Sequence, residues 1–374
     1  MVSTDAHMMN SGSEARVRME RYAAALGELH IVVIAPRSRA VRHAQGHTGN
    51  LFLYAACGNV FPRFVRAYRI LALCARRQQF DVITAQAPDE VGMIAWLIAR
   101  KFGIALQLQV HTDIMSPWYR RASWKEAIRY QLATLLIPRA DCIRVVSLRI
   151  KQSLISRFGI DGSRITVLPI FSDASEFSGA AEDPHTSRRF ESFSFKMIAA
   201  GRFVDKEKNF SMLIEMMRKF AVVCPDALLV LVGDGPDKKK YEGKIKDYGL
   251  EKNVMIEPWR RDLPSFYKSF DVFLLSSNYE GWGRAAVEAM AAGLPVVMTD
   301  VGLAGEVVRD GENGIVVPIG NQSAFFGACK NVYHDPALRS RLAVAARSTV
   351  AGMRPQTRNE YEEEYKMSFM RCTK

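Results

Sequence analysis

The stretch that decides the fold is residues 272–299, VFLLSSNYEGWGRAAVEAMAAGLPVVMT. It opens with an apolar run typical of a buried strand and continues through a polar loop that holds Gly281 and Gly283. An alanine-rich helix should begin near Arg284 and end at Gly293, because a proline and another apolar run soon follow. Strand, loop, helix and strand in this order predict one βαβ unit of a parallel sheet.

Short apolar runs alternate with helical patterns along the rest of the chain. This rhythm predicts an α/β fold, with parallel sheets covered by helices on both faces. The strands predicted for the first half are residues 29–35, 81–85, 105–111, 142–147 and 165–169, with residues 1–5 as the end of a further strand. Those predicted for the second half are residues 195–200, 227–233, 253–257, 272–276, 295–299 and 314–317.

A polar stretch with little periodicity, residues 172–194, marks the predicted domain boundary. We therefore expect an N-terminal domain at residues 1–175, a linker at 176–194, a C-terminal domain at 195–352 and a closing helical segment at 353–374. Ligands of such sheets bind beyond the carboxyl ends of the strands. The loops that follow strands should carry the chemistry.

The composition limits the class of protein. The chain has 374 residues, of which 48% are hydrophobic and 24% charged, as is ordinary for a globular protein of two domains. It has no run of about 18 apolar residues, no apolar core near the first methionine, and six scattered cysteines without a CxxC pair. These features predict a cytoplasmic protein with reduced thiols and without a signal peptide.

The net charge of +12 lies mostly in the first half of the chain. Residues 1–180 hold 23 Lys and Arg against 13 Asp and Glu, so this half should prefer an anionic surface. Cations and aromatic residues alternate in PWYRRASWKEAIR, residues 117–129, which suits a membrane interface. The alternative is a solvated basic face above ordinary core aromatics. Nucleic acid fits less well, because no binding module accompanies the charge.

Two acids, Glu280 and Glu288, flank the glycine turn of the deciding stretch. The first lies in the loop and the second just over one turn into the helix, so both could reach one extended ligand. The start of the helix offers amides to a phosphate. The plainer alternative is that Glu288 is a charge on the helix face and the glycines only form the turn.

The pattern of Glu280, seven residues and Glu288, followed by AMAAGLPVV, resembles the core motif of the family 4 retaining glycosyltransferases (glycosyl transferases group 1). The resemblance implies the GT-B fold, in which two Rossmann-like domains with parallel sheets face a central cleft. It also implies that Glu280 lies beside the donor sugar and that Glu288 binds the ribose hydroxyls of the nucleotide.

Other segments of the second half carry the same resemblance. AGRF at 200–203 and KNF at 208–210 resemble the Gly-Arg…Lys segment of the family, so Arg202 and Lys208 would neutralise the donor diphosphate. Fixed cations stabilise the charge that develops when a sugar–phosphate bond breaks, whatever the family. Further donor contacts are expected from Gly233, Asp234, Gly235, Gly281, Trp282, Gly283 and Arg284.

The first half resembles the family less specifically. QVHTD at 109–113 ends a predicted strand, and by the resemblance His111 would contact the donor sugar near the reacting carbon. Gly12 would belong to a loop that faces the diphosphate, and the closing helix would return to the first domain. A lone histidine at a strand end is more often structural, and only the matches in the second half favour function.

The sequence offers no metal site. It contains no Asp-x-Asp pair, the motif that holds a divalent ion on the diphosphate in other transferases. His43 and His47 are four residues apart, but they lie in a polar loop without a third ligand. Arg202 and Lys208 would supply the positive charge instead.

Together with these features, the resemblance implies a retaining, metal-independent hexosyltransferase with no cofactor, whose donor substrate is a nucleotide-diphosphate sugar. The acceptor would be a hydroxyl compound of glycolipid or cell-surface polysaccharide synthesis, with a lipid-linked acceptor as one option. The enzyme would then dock on the inner face of the plasma membrane. Two alternatives stay open: a nucleotide-sugar epimerase of similar fold, and a non-catalytic binding protein that kept the fold.

Overall fold

The computed structural model describes residues 1–36, 46–355 and 357–373. The chain divides into two compact units, one formed by Met1–Pro169 with Arg358–Lys374 and the other by Ile170–Thr357. Each unit has its own parallel sheet with helices around it. The prediction of an α/β protein with two Rossmann-like units is confirmed.

The sheet of the first unit has eight strands in the order β3-β4-β2-β1-β5-β6-β7-β8. All neighbours pair in parallel except β3 and β4, which pair antiparallel. The strands are β1 (Val2–Ser3), β2 (Leu29–Ala35), β3 (Gly46–Thr48), β4 (Leu51–Cys57), β5 (Val82–Ala85), β6 (Ala105–Val110), β7 (Cys142–Val145) and β8 (Ile165–Val167). The direction of winding reverses between β1 and β5, which is where sheets of this kind bind ligands.

Among the described residues, six helices of the first unit precede the second unit in the chain. They are α1 (Glu14–Leu26), α2 (Val60–Arg77), α3 (Glu90–Phe102), α4 (Pro117–Ala122), α5 (Trp124–Leu136) and α6 (Leu148–Phe158). Hydroxyl and carboxylate caps begin several of them. The hydroxyl of Ser13, for example, accepts a hydrogen bond from the amide of Arg16 (3.1 Å) at the start of α1.

The sheet of the second unit has six parallel strands in the order β11-β10-β9-β12-β13-β14. The strands are β9 (Phe195–Ala200), β10 (Ala227–Val232), β11 (Val254–Glu257), β12 (Val272–Leu275), β13 (Val296–Thr299) and β14 (Ile315–Val317). The winding reverses between β9 and β12, the order of a dinucleotide-binding sheet. Strand β10 is buried along its whole length, as its unbroken apolar sequence requires.

In the part of the chain that the structure describes, nine helices belong to the second unit and one more returns to the first. Those of the second unit are α7 (Ala174–Gly179), α8 (Pro184–Arg189), α9 (Asp205–Lys208), α10 (Phe210–Val223), α11 (Lys238–Asp247), α12 (Leu263–Tyr267), α13 (Arg284–Ala292), α14 (Gln322–His334) and α15 (Pro336–Ala351). The last helix, α16 (Arg358–Met370), packs on α1 in the first unit. Helix α13 has the bounds that the glycines around it predict.

Two regions differ from the sequence prediction. The hairpin of β3 and β4 was not predicted, because an apolar run such as Leu51–Cys57 does not by its periodicity distinguish a buried strand from a buried helix. The stretch predicted as a linker contains α7 and α8, and Phe177 of α7 is buried against Tyr267. It is therefore packed structure, counted with the second unit.

The expectation of reduced thiols is wrong for two of the six cysteines. Cys142 of β7 and Cys372 after α16 form a disulfide, with their Cα atoms 5.1 Å apart, whereas Cys57, Cys74, Cys224 and Cys329 are free. The pair is separated by 230 residues, so only the return of the last helix to the first sheet brings it together. Spacing along the sequence could not reveal it.

Candidate functional site

The centre of the candidate site is the carboxylate of Glu280, in the loop between β12 and α13. Its Oε1 accepts hydrogen bonds from the ammonium of Lys208 (2.5 Å) and from the hydroxyl of Ser277 (2.8 Å). Lys208 ends the short helix that follows β9. The two loops meet because β9 and β12 are neighbours at the point where the winding of the sheet reverses.

Lys208 belongs to a chain of four alternating charges. Its ammonium also lies 3.2 Å from the carboxylate of Glu207, which in turn accepts a hydrogen bond from the guanidinium of Arg202 (2.8 Å). Burial by itself would lower the pKa of Lys208, but the carboxylates of Glu280 and Glu207 outweigh burial and raise it. The lysine is therefore a permanent cation, and Arg202 is a second one with two thirds of its side chain exposed.

Backbone contacts hold the two loops together. The hydroxyl of Ser276 donates to the carbonyl of Lys208 (2.8 Å), and the amide of Asn278 donates to the carbonyl of Glu207 (2.8 Å). The side chain of Asn278 also accepts a hydrogen bond from Asn209 (3.2 Å). The cations and the acid are thus carried by one rigid backbone arrangement.

Gly233 and Gly235 allow the loop after β10 to lie directly on the loop after β9. A Cβ atom at Gly233 would lie 2.0 Å from the carbonyl oxygen of Gly201, and one at Gly235 would lie 2.6 Å from that of Phe203. Both glycines also have positive φ angles, 151° and 155°, which side chains disfavour. The carbonyl of Asp234 accepts from the amide of Phe203 (2.8 Å). These residues support the backbone next to Arg202.

Glu288 lies in a different cluster from Glu280. Its carboxylate pairs with Arg284 (3.0 Å), one turn earlier on α13, and accepts a hydrogen bond from Ser172 (3.4 Å). Burial raises the pKa of Glu288, and the charge of Arg284 only partly opposes this. Burial, and then the charge of Glu288, raise the pKa of Tyr267. Its hydroxyl is buried and has no hydrogen-bond partner among the residues that the structure describes.

The remaining predicted donor residues form the turn into α13. Trp282 is buried, and its carbonyl accepts a hydrogen bond from the amide of Leu303 (2.9 Å). Gly281 is buried as well. Gly283 is the N-cap and provides no side-chain cap for the first amides of α13. Trp282 contributes to packing in this structure, and the start of α13 offers backbone donors of the kind that bind phosphate.

The segment expected near the base follows β11. Glu257 is buried and pairs with Arg189 (2.6 Å) and with Arg260 (3.5 Å). Its carbonyl accepts from the amide of Gly233 (2.9 Å), so this segment adjoins the glycine loop. The ring of Trp259 is more than half exposed.

Gly12 and His111 lie in the first unit. Gly12 forms the exposed turn before α1, after β1. His111 directly follows β6, and its Nε2 lies 3.2 Å from Oε1 of Gln109. Burial, and then the charges of Arg144 and Arg18, lower the pKa of His111 to about 3. The histidine is therefore neutral at ordinary pH.

The structure thus brings Arg202, Lys208 and Glu280 together and keeps Glu288 with Arg284. Sequence reasoning missed the polar partners of these groups, namely Glu207, Ser277, Ser172 and Gln109. Glu207 could have been found, because an acid beside Lys208 on one short helical turn is near the same ligand. Ser172 could not, because it contacts Glu288 across 116 residues of sequence.

The predicted basic surface of the first unit lies on α4 and α5. Trp118, Trp124 and Ile128 are exposed there, at 44%, 70% and 50% of their full surface. Exposed cations lie between them: Arg120, Arg121 and Lys125. Within the described part of the chain, none of the helices combines the length and apolarity that a membrane crossing requires.

The described residues include no group of three His, Cys, Asp or Glu side chains placed to hold a metal ion. Of the histidine pair considered from the sequence, His47 lies in β3 and His43 lies outside the described residues.

Two family models match the chain. Residues 186–349 match "Glycosyl transferases group 1", and residues 15–176 match "Glycosyltransferase Family 4". The first match contains the charge chain from Arg202 to Glu280 and also Glu288. The second contains His111 but begins after Gly12.

Several curated proteins are similar to the chain. The lipopolysaccharide core biosynthesis glycosyltransferase LpsE of Rhizobium meliloti is 35% identical over 42% of this chain and 44% of the relative. The N-acetylgalactosamine-N,N'-diacetylbacillosaminyl-diphospho-undecaprenol 4-alpha-N-acetylgalactosaminyltransferase of Campylobacter jejuni is 28% identical over 65% of each chain. The uncharacterized glycosyltransferase YqgM of Bacillus subtilis is 30% identical over 68% of each. The chain therefore spans about half to two thirds of the length of these relatives.

The fold also matches solved structures. HepE of Anabaena in complex with UDP superposes with a TM-score of 0.70 at 18% identity, over 94% of this chain and 93% of that one. At this level of identity the match concerns the fold, and it includes both units.

Proposed function

We propose, since the chain belongs to the glycosyl transferases group 1 family, that it is a retaining glycosyltransferase. It moves a hexose from a nucleotide-diphosphate donor to a hydroxyl acceptor in glycolipid or cell-surface polysaccharide synthesis. The relatives named above support the class of product, because one acts in lipopolysaccharide core biosynthesis and another on a diphospho-undecaprenol acceptor.

One observation carries this proposal: the contact of Lys208 with Glu280, with Arg202 joined to them through Glu207. Cations and a carboxylate lie beyond the carboxyl ends of β9 and β12, where a doubly wound sheet binds its ligand. A diphosphate needs the cations and a sugar hydroxyl needs the carboxylate. Glu288, on the helix that starts beside them, is the acid for the ribose hydroxyls.

The mechanism follows from the charges. When the bond from the sugar to the diphosphate breaks, negative charge grows on the leaving phosphate. Lys208 and Arg202 are already in place as cations, so they stabilise this charge without reorganisation. Glu280 positions the donor sugar, and His111 supports it. The diphosphate leaves from the face on which the acceptor hydroxyl arrives, and its leaving oxygen takes up the proton of that hydroxyl. The configuration at the anomeric carbon is therefore retained.

The proposal is tested first by binding. The full chain is heated with each nucleoside diphosphate in turn, and the matching base should raise the melting temperature most. A ligand present at 100 times its Kd adds roughly 2.7 kcal/mol to stability. The matching sugar donors are then offered with lipid-linked and soluble hydroxyl acceptors, in the presence of a metal chelator.

We expect a glycoside whose anomeric configuration is that of the donor, formed despite the chelator. An isomerised donor without any acceptor product would show an epimerase, and binding without turnover would show a non-catalytic protein. Loss of transfer in the chelator, restored by a divalent ion, would refute the role of Arg202 and Lys208 as substitutes for a metal.

The first unit is further proposed to dock on an anionic membrane through α4 and α5. The exposed Trp118, Trp124 and Ile128 suit the interface, and Arg120, Arg121 and Lys125 suit acidic headgroups. Each cation near an anionic surface contributes about 1 kcal/mol to the free energy of membrane binding. Replacing Arg120, Arg121 and Lys125 by neutral residues should therefore weaken that binding by about 3 kcal/mol.

Vesicles of phosphatidylglycerol and phosphatidylcholine provide the test of docking. The chain should sediment with them at low salt and be released at high salt, and Trp124→Glu should reduce binding. Val344→Glu is the matched control, because Val344 is equally exposed but lies in the second unit. Absence of binding at low salt, or equal loss in both variants, would contradict membrane docking.

A further inference from the structure

Arg144 is a buried cation whose partners are all neutral. It lies in β7 with 3% of its surface exposed. Its guanidinium donates to Oε1 of Gln109 (3.0 Å), to the carbonyl of Leu168 (3.1 Å) and to the hydroxyl of Tyr361 (2.6 Å). Among the residues that the structure describes, no carboxylate pairs with it. A buried charge without a counter-charge is costly, so its position calls for a function.

The contact with Arg144 determines which way the side-chain amide of Gln109 faces. A guanidinium can only donate, so the atom of Gln109 that faces it must be the oxygen. The nitrogen of the same amide then faces acceptors, namely the hydroxyls of Thr84 (3.1 Å) and Tyr365 (3.1 Å). Both ends of the amide are satisfied in this orientation, and the flipped one would set N–H groups against the guanidinium.

A second series of contacts, which starts at Gln107, predicts the same orientation of the Gln109 amide. The amide nitrogen of Gln107 donates to the carbonyl of Ser368 (3.0 Å), which can only accept. The oxygen of Gln107 therefore accepts from the hydroxyl of Thr84 (3.0 Å), and the oxygen of Thr84 is left to accept from Gln109. The orientation of Gln109 thus does not depend on Arg144 alone.

The orientation of Gln109 in turn assigns the proton of His111. Oε1 of Gln109 is an acceptor, and it lies 3.2 Å from Nε2 of His111, so Nε2 carries the hydrogen. In a neutral ring the other nitrogen, Nδ1, then has the lone pair. No hydrogen bond to Nδ1 occurs among the described residues. The lowered pKa of His111, due to burial and then to Arg144 and Arg18, agrees with a neutral ring.

We propose that Arg144 is a positioning residue that, through Gln109, holds His111 as the neutral Nε2–H tautomer and leaves Nδ1 to accept a hydrogen bond from a hydroxyl of the bound sugar. This assignment of Nδ1 to the substrate rests on the proposed function. The tautomer itself rests only on the contacts described above.

The returning helix α16 completes the arrangement. Tyr361 accepts from Arg144, and the rings of Tyr361 and Tyr365 lie 5.9 Å and 5.2 Å from its guanidinium carbon. Tyr365 also accepts from Gln109 and stacks on Tyr22 of α1. Helix α16 therefore supplies two hydrogen-bond acceptors to the series of contacts from Arg144 through Gln109 to His111, which we call the relay. In this proposal α16 supports the site as well as covering the first sheet.

Nitrogen-15 NMR of the histidine side chains in the full chain tests the tautomer without any substrate. The signal of His111 is identified by its loss in His111→Asn. We expect a neutral ring protonated at Nε2 near neutral pH. A ring protonated at Nδ1, or at both nitrogens, would overturn the proposal.

Variants then test the relay. Gln109→Leu should release His111 into a mixture of tautomers, whereas Gln109→Glu should keep the proton on Nε2 because a carboxylate also accepts. Leu108→Ala is the matched control, since Leu108 is buried in the same strand but takes no part in the polar contacts that orient Gln109. An unchanged spectrum in Gln109→Leu, or the same change in Leu108→Ala, would show that Gln109 does not set the tautomer.

Kinetics connect the tautomer to the reaction. Gln109→Leu should lower kcat by roughly tenfold or more with little change in the KM of the donor, as expected for a lost orienting partner. Gln109→Glu should recover part of this loss. A changed tautomer with unchanged kcat would remove Nδ1 from the reaction. A wild-type chain that transfers no sugar would instead overturn the proposed function, and the NMR result would stand by itself.

Discussion

The ammonium of Lys208 lies 2.5 Å from Oε1 of Glu280, although the two residues are 72 positions apart. The contact joins the loops that follow β9 and β12, and Glu207 extends it to Arg202. Two cations and two carboxylates therefore form one connected group at a single edge of the sheet.

Lys208→Ala should reduce kcat by about a hundred- to a thousandfold, as when an electrostatic stabiliser of developing charge is removed. The measurement is the initial rate of transfer with the donor identified by thermal shift. Lys206→Ala is the matched control, because Lys206 is an exposed lysine on the same short helix and should leave the rate nearly unchanged. Equal rates in wild type and Lys208→Ala would refute the phosphate role.

Glu288→Gln should weaken donor binding and at the same time preserve or raise stability. A lost hydrogen bond between a carboxylate and the ribose costs about 1.5–3 kcal/mol, or roughly ten- to a hundredfold in Kd. Burial raises the pKa of Glu288, so the neutral amide avoids the cost of a buried charge. Melting curves with and without nucleoside diphosphate measure both effects, with the exposed Glu242→Gln as control. Unchanged affinity would remove Glu288 from the ribose site.

Acid should destabilise the folded chain partly through His111. Its pKa is lowered to about 3 in the folded state by burial, then by Arg144 and Arg18, from a value of 6.5 without these effects. Between about pH 3 and pH 6.5 His111 is protonated in the unfolded chain but neutral in the folded chain. The free energy of unfolding should therefore fall as the pH drops from about 6.5 towards about 3.

Urea unfolding of wild type and His111→Asn at several pH values in this range measures the effect. The variant should lose less stability on acidification, and the two should converge in their pH dependence above about pH 7, where the histidine is neutral in both states. Parallel acid profiles of the two proteins would show that His111 titrates normally in the folded chain.

Gly233→Ala should destabilise the second unit by about 2–4 kcal/mol, because the added Cβ would lie 2.0 Å from the carbonyl oxygen of Gly201. Gly243→Ala in the middle of α11 is the opposite case, since no atom of the described residues lies within 4 Å of its Cβ position. It should stabilise by about 0.5–1 kcal/mol, through helix propensity. Thermal unfolding measures the stability of the two variants. If Gly233→Ala did not lower stability relative to Gly243→Ala, the loops after β9 and β10 would have moved apart to accept the added Cβ.

Much of the second unit could be predicted from local sequence. Unbroken apolar runs gave β9, β10 and β12 to within a residue, and flanking glycines gave both ends of α13. The first unit was harder. Its run at Leu51–Cys57 was compatible with either kind of element, and β3 becomes a strand only by pairing with β4.

The residue types of the candidate site were expected from the resemblance and from the ligand that it implies. A diphosphate calls for cations and a sugar for carboxylates, so Arg202, Lys208 and Glu280 were expected in loops after strands and Glu288 on the helix that follows. Their partners could not be selected in this way. Ser172 and Gln109 are ordinary polar residues, and only their neighbours in space give them a role.

The sequence by itself determined the elements, because the periodicity of apolar residues and the placement of glycine and proline act over a few residues. It also determined the spacing of Glu280 and Glu288, which one loop and one helix carry. Only the tertiary structure decided that Lys208 meets Glu280 and that Arg144 meets Tyr361, contacts that span 72 and 217 residues. Both depend on which strands are neighbours and on where the last helix packs. The burial of whole faces determines these arrangements, and no local pattern encodes them.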